Sequence, residues 1–219
     1  MQWALFEGLP DEEVREVLTI ARRRRFGRGE VVFHQDDPAD TLHLVAKGRF
    51  AVRALAPLGD AVVLTVLGPG ESFGELALVS PDGRRSAKVD ALEPAETLSV
   101  HRMDFDRLRA RRPEVGDVLV GILAAQVRRL STHLMEALYV PADKRVRRRL
   151  LDMARLYGEA GEPTGATVPL RQEELAGLAG TSRATVNKVL REEEERQAVE
   201  LARGRTVVLD PDALERRAR

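Results

Sequence analysis

The chain of 219 residues contains no cysteine, and this absence removes disulfides, thiolate catalysis and iron–sulfur ligation together. Net charge is absent too: 35 basic and 35 acidic side chains cancel, so only the local distribution of charge can point to a partner. The four histidines, His34, His43, His101 and His133, are scattered without a pair at metal-ligand spacing, and no metal is expected. No apolar run approaches the roughly 18 residues of a membrane span. The opening stretch MQWALFEGLPDEE has no basic leader and no cleavage signal. A soluble, cytoplasmic protein without a membrane partner is therefore expected. Paired acid/base carboxylates, a metal triad or an activated nucleophile cannot be assembled from these residues, so an enzyme is not expected. The length allows one large domain or two small ones.

What is present falls into three regimes of periodicity. Residues 1–24 read as helical, with Leu9-Pro10-Asp11-Glu12-Glu13 as a start signal and Val14, Val17, Leu18 and Ala21 on one face. Arg22 to Arg25 then read as a solvated edge leaving that helix. From 28 to 100 the period shortens to strands at 30–34, 41–46, 49–55, 61–67, 86–91 and 97–101, with turns at 36–40, 47–48, 57–60 and 68–70. Many short strands at nearly regular spacing argue for an all-β barrel or jelly roll. His34 and His43 in these strands read as hydrogen-bonded structural residues.

Within the β region, FGELALVSPDGRRSA (73–87) is the stretch best suited to hold a ligand. Two apolar pieces are joined by a turn carrying Pro81, Asp82 and Gly83. Glycine frees backbone N–H groups to converge on an anion, and arginine adds a bidentate grip on phosphate oxygens. Glu75 can accept from a sugar hydroxyl, and a serine hydroxyl can complete a phosphate cradle. A surface hairpin with a solvated arginine pair has the same spacing.

A short helix at 103–111 ends before Pro113, and a longer one runs to about Tyr139. In it Val120, Leu123, Val127, Leu130, Leu134 and Ala137 recur at alternating steps of three and four, a heptad seam. Val118, Leu119 and Ile122 lie off the seam, facing the β domain. A helix with two apolar faces wants two partners, and the second is most simply the same helix of another copy, giving a C2 homodimer. Residues 140–143 break the helix and form a hinge, with Asp143 as a cap for a basic helix at 144–156 and a loop at 158–166 after it. A helix at 171–178, a tight turn at 179–181 and a helix at 182–195 capped by Thr181 or Ser182 follow. Leu175, Leu178, Ala179, Val186, Val189 and Leu190 form their interior. The second helix opens with Thr181, Ser182, Arg183, Thr185, Asn187 and Lys188, donors suited to base edges and phosphates. A hairpin at 198–201 and 206–209 turns through Ala202-Arg203-Gly204-Arg205. The acidic run 192–195 reads as a solvated helix end.

FGELAL followed by RRSA resembles the phosphate-binding cassette of cyclic-nucleotide-binding domains, in particular that of the CRP/FNR family of bacterial transcription regulators. EVVFHQDDPADTLHLVAKGRFAV resembles the family's opening strands, and L-R-Q-E-E-L-A with G-T-S-R-A-T-V resembles its winged helix-turn-helix. Nearly the whole chain is covered. The resemblance implies that Gly74 and Glu75 hold a ribose and Arg85 and Ser86 a cyclic phosphate, with Phe73, Leu76, Ala77, Arg84 and Ala87 completing the cassette. Leu64 and Thr65 fall where the family lines the pocket. Leu130 and Ser131 fall where a polar pair reaches the purine, and one of that pair is apolar here. Arg183 matches a guanine-reading arginine, Lys188 stands where a second base-reading arginine is usual, and Ala184 replaces an acidic reader.

The expected fold is α+β: an N-terminal cyclic-nucleotide-binding β-roll (jelly roll) over 1–140, including a dimerisation helix at about 113–139, and a C-terminal winged helix-turn-helix over 141–219. The expected function is a homodimeric DNA-binding transcription regulator controlled by a cyclic nucleotide, cAMP. A CRP/FNR-type regulator that needs no nucleotide, or takes a different small effector, is the alternative. Gln172, Thr181, Ser182, Arg183, Thr185, Asn187, Lys188, Arg203 and Arg205 are the expected contacts to a palindromic double-stranded site, and family analogy adds RNA polymerase as a partner.

Overall fold

The computed structural model of the chain describes Trp3 and residues 11–55, 61–79 and 83–219. Leu9 and Pro10 of the expected helix start, the turn at 57–60, and Pro81 and Asp82 of the cassette turn lie outside these residues. The chain divides into two compact units: Met1–Ala61 with Thr65–Arg129, and Leu130–Arg219 with Val62–Leu64.

The first unit starts with α1 (Asp11–Ile20) and continues into two four-stranded sheets. One has the order β1 (Arg22–Phe26), β8 (Ala95–His101), β3 (Thr41–Lys47), β6 (Ser72–Phe73). The other has the order β2 (Val31–Phe33), β7 (Lys88–Ala91), β4 (Phe50–Leu55), β5 (Ala61–Leu67). Strand β3, TLHLVAK, lacks a polar alternation because both of its faces are covered. Leu42 and Leu44 join Val17, Val100, Phe105, Leu108, Val115 and Leu119 in a core beneath the helices α1, α2 (Arg102–Arg111) and α3 (Glu114–Tyr139). Val45, on the opposite face, joins Phe26, Phe50, Leu67, Phe73, Val89 and Ala91 between the sheets. Phe73 is the hub there, with Phe50 5.2 Å, Phe33 5.9 Å and the stacked His43 ring 5.0 Å from its centroid.

The arginine run 22–25 is not a helix exit. It is edge strand β1, paired along β8 from Arg22↔Ser99 to Phe26↔Ala95. On a helix, neighbouring turns would stack like charges, whereas a strand separates them by alternation. Arg23 and Arg25 share the Glu96 carboxylate at 2.6 and 3.1 Å, and Phe26 is buried.

In the second unit, α4 (Ala142–Tyr157), α5 (Gln172–Ala179) and α6 (Arg183–Glu195) pack with α7 (Pro211–Ala218) and a three-stranded sheet of order β10 (Val199–Ala202), β11 (Arg205–Val208), β9 (Thr167–Val168). Val186, Val189, Leu190, Leu175 and Ala179 are buried as their spacing predicts. The cap of α4 is Pro141 and not Asp143, which lies in the first turn and accepts from Arg147 at 2.6 Å.

Arginines of α4 act as internal ties. Arg145 donates to the carbonyls of Ala137 and Val140 at the end of α3, and to Ala179 and Gly180 at the end of α5, at 2.9–3.1 Å. These are carbonyls that helix ends leave unpaired. Arg148 and Arg149 both donate to Glu136. The acidic run 192–195 is also internal in part: Glu193 has no exposed surface and binds Arg147 Nε at 2.8 Å, Arg196 at 3.3 Å and both Nε and Nη2 of Arg217. It was expected to be solvated, but Glu193 falls on the buried face of α6 with Val186, Val189 and Leu190. The neighbouring guanidiniums hold its carboxyl below the usual carboxylate range despite the burial. Removing one partner of such a buried group strands the rest, at a cost of about 3–5 kcal/mol. Glu193→Ala should therefore lower the urea midpoint of the C-terminal unit, while Glu195→Ala, which is exposed, should leave it unchanged.

Candidate functional site

The cassette does not continue as a strand. After Phe73, Gly74 turns left-handed at φ 81° and Glu75–Leu78 form one 3-10 turn, with Ala77 N–H donating to Gly74 O at 3.1 Å. Only glycine fits at position 74: a Cβ there would stand 2.7 Å from Arg85 Nη1 and 2.9 Å from the Thr41 carbonyl oxygen. The turn buries Glu75, Ala77 and Leu78.

Arg85 arrives from the other half of the cassette and is 5% exposed. Its backbone is fastened to the 36–39 loop: Arg85 N–H donates to Asp37 O at 3.0 Å and Asp36 N–H to Arg85 O at 2.9 Å. Its guanidinium lies 4.0 Å over the Phe33 ring and donates to Thr41 O and Thr41 Oγ1, both at 2.7 Å. Its Nε is buried with no acceptor among the described residues. Burial pulls the Arg85 pKa down, while Asp40, Asp37 and Glu75 push it up. Burial raises the Glu75 pKa, against donation from its own N–H and from Gln126 and the charges of Arg129 and Arg85. Two buried groups of opposite sign thus flank the cassette.

Between them is a cavity of about 100 Å³. Of the expected ligand residues, Thr65, Phe73, Gly74, Glu75, Leu76, Ala77, Arg84, Arg85, Ser86 and Ala87 line it. Leu64, Leu130 and Ser131 do not; all three side chains are exposed. Sequence reasoning missed Gln126 and Arg129, which supply the lining from α3 and share one face of it at a spacing of three.

The expected DNA residues lie on α6, the turn before it, the start of α5 and the β10–β11 hairpin. Ser182 caps α6, its hydroxyl accepting from Thr185 N–H at 3.2 Å, and Gly180 closes α5 in the left-handed conformation. Arg183, Asn187 and Lys188 are exposed, and Gln172, Thr181 and Thr185 are partly so. Arg183 Nε lies 3.1 Å from Glu173, and Asn187 donates to Gln172 at 3.2 Å. Arg203 and Arg205 flank Gly204 at the exposed tip of the β10–β11 hairpin. No arginine of α4 from Arg145 to Arg149 joins this face uncommitted, since each has an internal acceptor.

His43 gives this region a pH dependence. Its ring is buried between Thr41 and Thr97, and burial first, then Arg85 and Arg24, lower its pKa from 6.5 to about 3. Between those values the unfolded chain binds more protons than the folded one, so stability falls as pH drops below 6.5. The loss attributable to His43 from pH 7 to 5.5 should be about 1 kcal/mol. Urea unfolding at both pH values should show a smaller acid loss for His43→Gln than for the wild type.

Residues 23–112 match the cyclic nucleotide-binding domain family, and residues 144–217 match the Crp-like helix-turn-helix domain family. The chain is 36% identical over 211 residues to the cyclic AMP receptor protein of Thermus thermophilus, covering 96% of this chain and 94% of that one. It is 32% identical over 219 residues to a CRP-like cAMP-activated global transcriptional regulator of Mycobacterium tuberculosis, covering 98% and 96%. Among solved structures it resembles the Thermus thermophilus catabolite activator protein, with a TM-score of 0.57, 36% identity and 98% of each chain covered. Two family matches in the right order and full-length relatives above 30% identity agree with the two sheets, the glycine-opened cassette and the winged helix pair: the chain belongs to the CRP/FNR family of transcription regulators.

Proposed function

We propose that the chain is a homodimeric regulator whose sequence-specific DNA binding is controlled by a cyclic nucleotide, cAMP, bound at the cassette. The observation that carries this reading is Arg85: a buried guanidinium whose Nε–H has no acceptor among the described residues, beside a left-handed glycine and facing a buried carboxylate. A phosphate would supply the missing acceptor, and a ribose hydroxyl would donate to Glu75. Relatives named as cAMP-responsive at 32% and 36% identity favour adenosine over other bases. The sensor is read as 1–140 and the DNA reader as 141–219.

The homodimer rests on α3. Val120, Val127, Leu130, Leu134 and Leu138 are each 58–65% exposed along one helix, a continuous apolar stripe that a second copy would cover. In such a dimer two α6 helices would enter successive major grooves, about 34 Å apart. DNA as partner makes the cytoplasm its compartment. One observation favours the alternative of a different small effector or none: the cavity, about 100 Å³, is below the usual ligand range of roughly 300 Å³ and excludes Leu130 and Ser131. A whole nucleotide requires the side chains at its mouth, Gln126 and Arg129, to move.

Isothermal titration with cAMP and cGMP tests the reading. Wild type should bind cAMP, and Arg85→Ala should lose binding by about 2–5 kcal/mol while its unfolding transition is retained. Equal heats for the two proteins would remove the cassette from the mechanism.

A second test separates reading from holding. Arg183, at the start of α6, can donate to guanine O6 and N7 together, worth about 1–3 kcal/mol of discrimination. Arg203 and Arg205 on the wing reach phosphate or the minor groove and contribute chiefly counterion release. Arg183→Ala should lower affinity for a selected site and relax one position per half-site, with little effect on scrambled DNA. Arg205→Ala should weaken both and flatten the salt dependence by roughly one unit. If Arg183→Ala weakens both DNAs equally, α6 is not the reader.

A further inference from the structure

The Arg85 guanidinium has two hydrogen-bonding edges, and the structure treats them differently. Its end edge is taken by a single residue: Nη1 donates to the Thr41 carbonyl and Nη2 to the Thr41 hydroxyl, both at 2.7 Å. Its lateral edge carries Nε–H, which has no acceptor among the described residues, beside the second Nη2–H. The nearest carboxylate, Asp40, is 3.9 Å from Nη2. One flat face rests on Phe33 at 4.0 Å. Gly74 leaves no room for a Cβ between Nη1 and the Thr41 carbonyl. The group is thus held from its end, and the buried donor on its side is the one left without a partner among the described residues.

The Thr41 hydroxyl is itself oriented. It accepts from Arg85, so its own proton goes to His43 Nε2, 3.3 Å away. His43 is neutral, its pKa lowered to about 3 by burial, and can accept there. Its remaining proton is then on Nδ1 and donates to Thr97 Oγ1 at 3.1 Å. The chain Thr97–His43–Thr41 fixes the direction in which Thr41 presents its lone pair.

We infer that Thr41 is the positioning residue of the phosphate site: it holds the end edge of Arg85 so that the lateral edge faces the phosphate of the bound nucleotide. This rests on the cyclic-nucleotide reading above and deepens it. Any side chain at position 41 keeps the carbonyl contact; only a hydroxyl keeps the second. Without it the guanidinium can rotate about its remaining bond, and the lateral pair of Nε–H and the second Nη2–H no longer stays aimed at the phosphate. Lateral presentation matters because two parallel N–H groups match two phosphate oxygens, which one rotating donor cannot do.

Titration of the full chain with cAMP, for wild type, Thr41→Val, Thr41→Ser and Arg85→Ala, decides the matter. Thr41→Val should raise the Kd about 10- to 30-fold, the loss of one hydrogen bond to a charged group. Thr41→Ser should bind within about threefold of wild type, a rescue that a purely structural role of the methyl group would not give. Wild-type affinity in Thr41→Val, or equal weakening in Val and Ser, overturns the inference while leaving the cassette in place. Full binding by Arg85→Ala, or no binding of cAMP by wild type, overturns the nucleotide reading itself. Should Thr41→Val fail to fold, the wild type suffices. On saturation with cAMP the Arg85 Nε–H proton resonance should shift downfield as it gains an acceptor, and an unmoved resonance overturns the inference.

Discussion

A single buried positive charge organises the sensor unit. Arg85 is nearly out of water and has no carboxylate within hydrogen-bond distance. An isolated cation in a low-dielectric interior is costly, so its surroundings must offset that cost with dipoles, aromatic faces and more distant charges. The 36–41 segment does most of this: it pairs with the Arg85 backbone, supplies both Thr41 oxygens and carries Asp37 and Asp40. Glu75 across the cavity adds attraction while its own burial raises its pKa. The phenylalanines beneath the cassette gather for the same reason, since Phe33 must be held flat against the guanidinium and Phe73 holds Phe33. An anion entering the cavity relieves a tension that the fold already contains.

The DNA-binding unit uses arginine in the opposite way. Arg145, Arg147, Arg148 and Arg149 lie in one basic run, and every one of them is spent on an internal acceptor. Arg145 joins the end of α3 to the end of α5 by filling carbonyl valences that no backbone N–H can reach. Arg183, Lys188, Arg203 and Arg205 are exposed cations of α6 and the wing, while Arg191, also exposed on α6, pairs with Glu194. With a net charge of zero, the chain has little long-range pull on a polyanion. Affinity must then come from contacts made at a fitting site, which suits a regulator that has to discriminate among sequences.

Much of this was legible in the sequence, for identifiable reasons. Strands with turn residues at regular spacing, the cassette and the α5–α6 pair all express local rules, and they lie close to where those rules place them. The failures occur where a distant partner decides. Arg22 to Arg25 became a strand because β8 offered a complete ladder and Glu96 a shared carboxylate. Glu193 became buried because Arg147 and Arg217 converge on it from 46 and 24 residues away. Strand β9 and helix α7 went unread: the first is two residues long, and the second depends on a Pro211 and Asp210 cap that resembles any turn. In the cavity, the resemblance pointed to Leu130 and Ser131 on α3, whereas the residues of α3 that line it are Gln126 and Arg129.

If a second copy covers the seam of α3 as proposed, the placement of Gln126 and Arg129 bears on how ligand and dimer would communicate. One side of α3 is buried in the sensor core through Val115, Leu119 and the partly buried Leu123. A second side brings Gln126 and Arg129 to the cavity. A third carries Val120, Val127, Leu130 and Leu134 into solvent. Arg129 and Leu130 are adjacent in sequence and about 100° apart around the helix, so neither can rotate without carrying the other. A ligand that favours one rotation of α3 through Gln126 and Arg129 must also favour one presentation of the seam. It can do so only to the extent that it binds the two rotations with different affinity. The contacts that would supply such a difference are those of Gln126 and Arg129 with Glu75, which lines the same cavity.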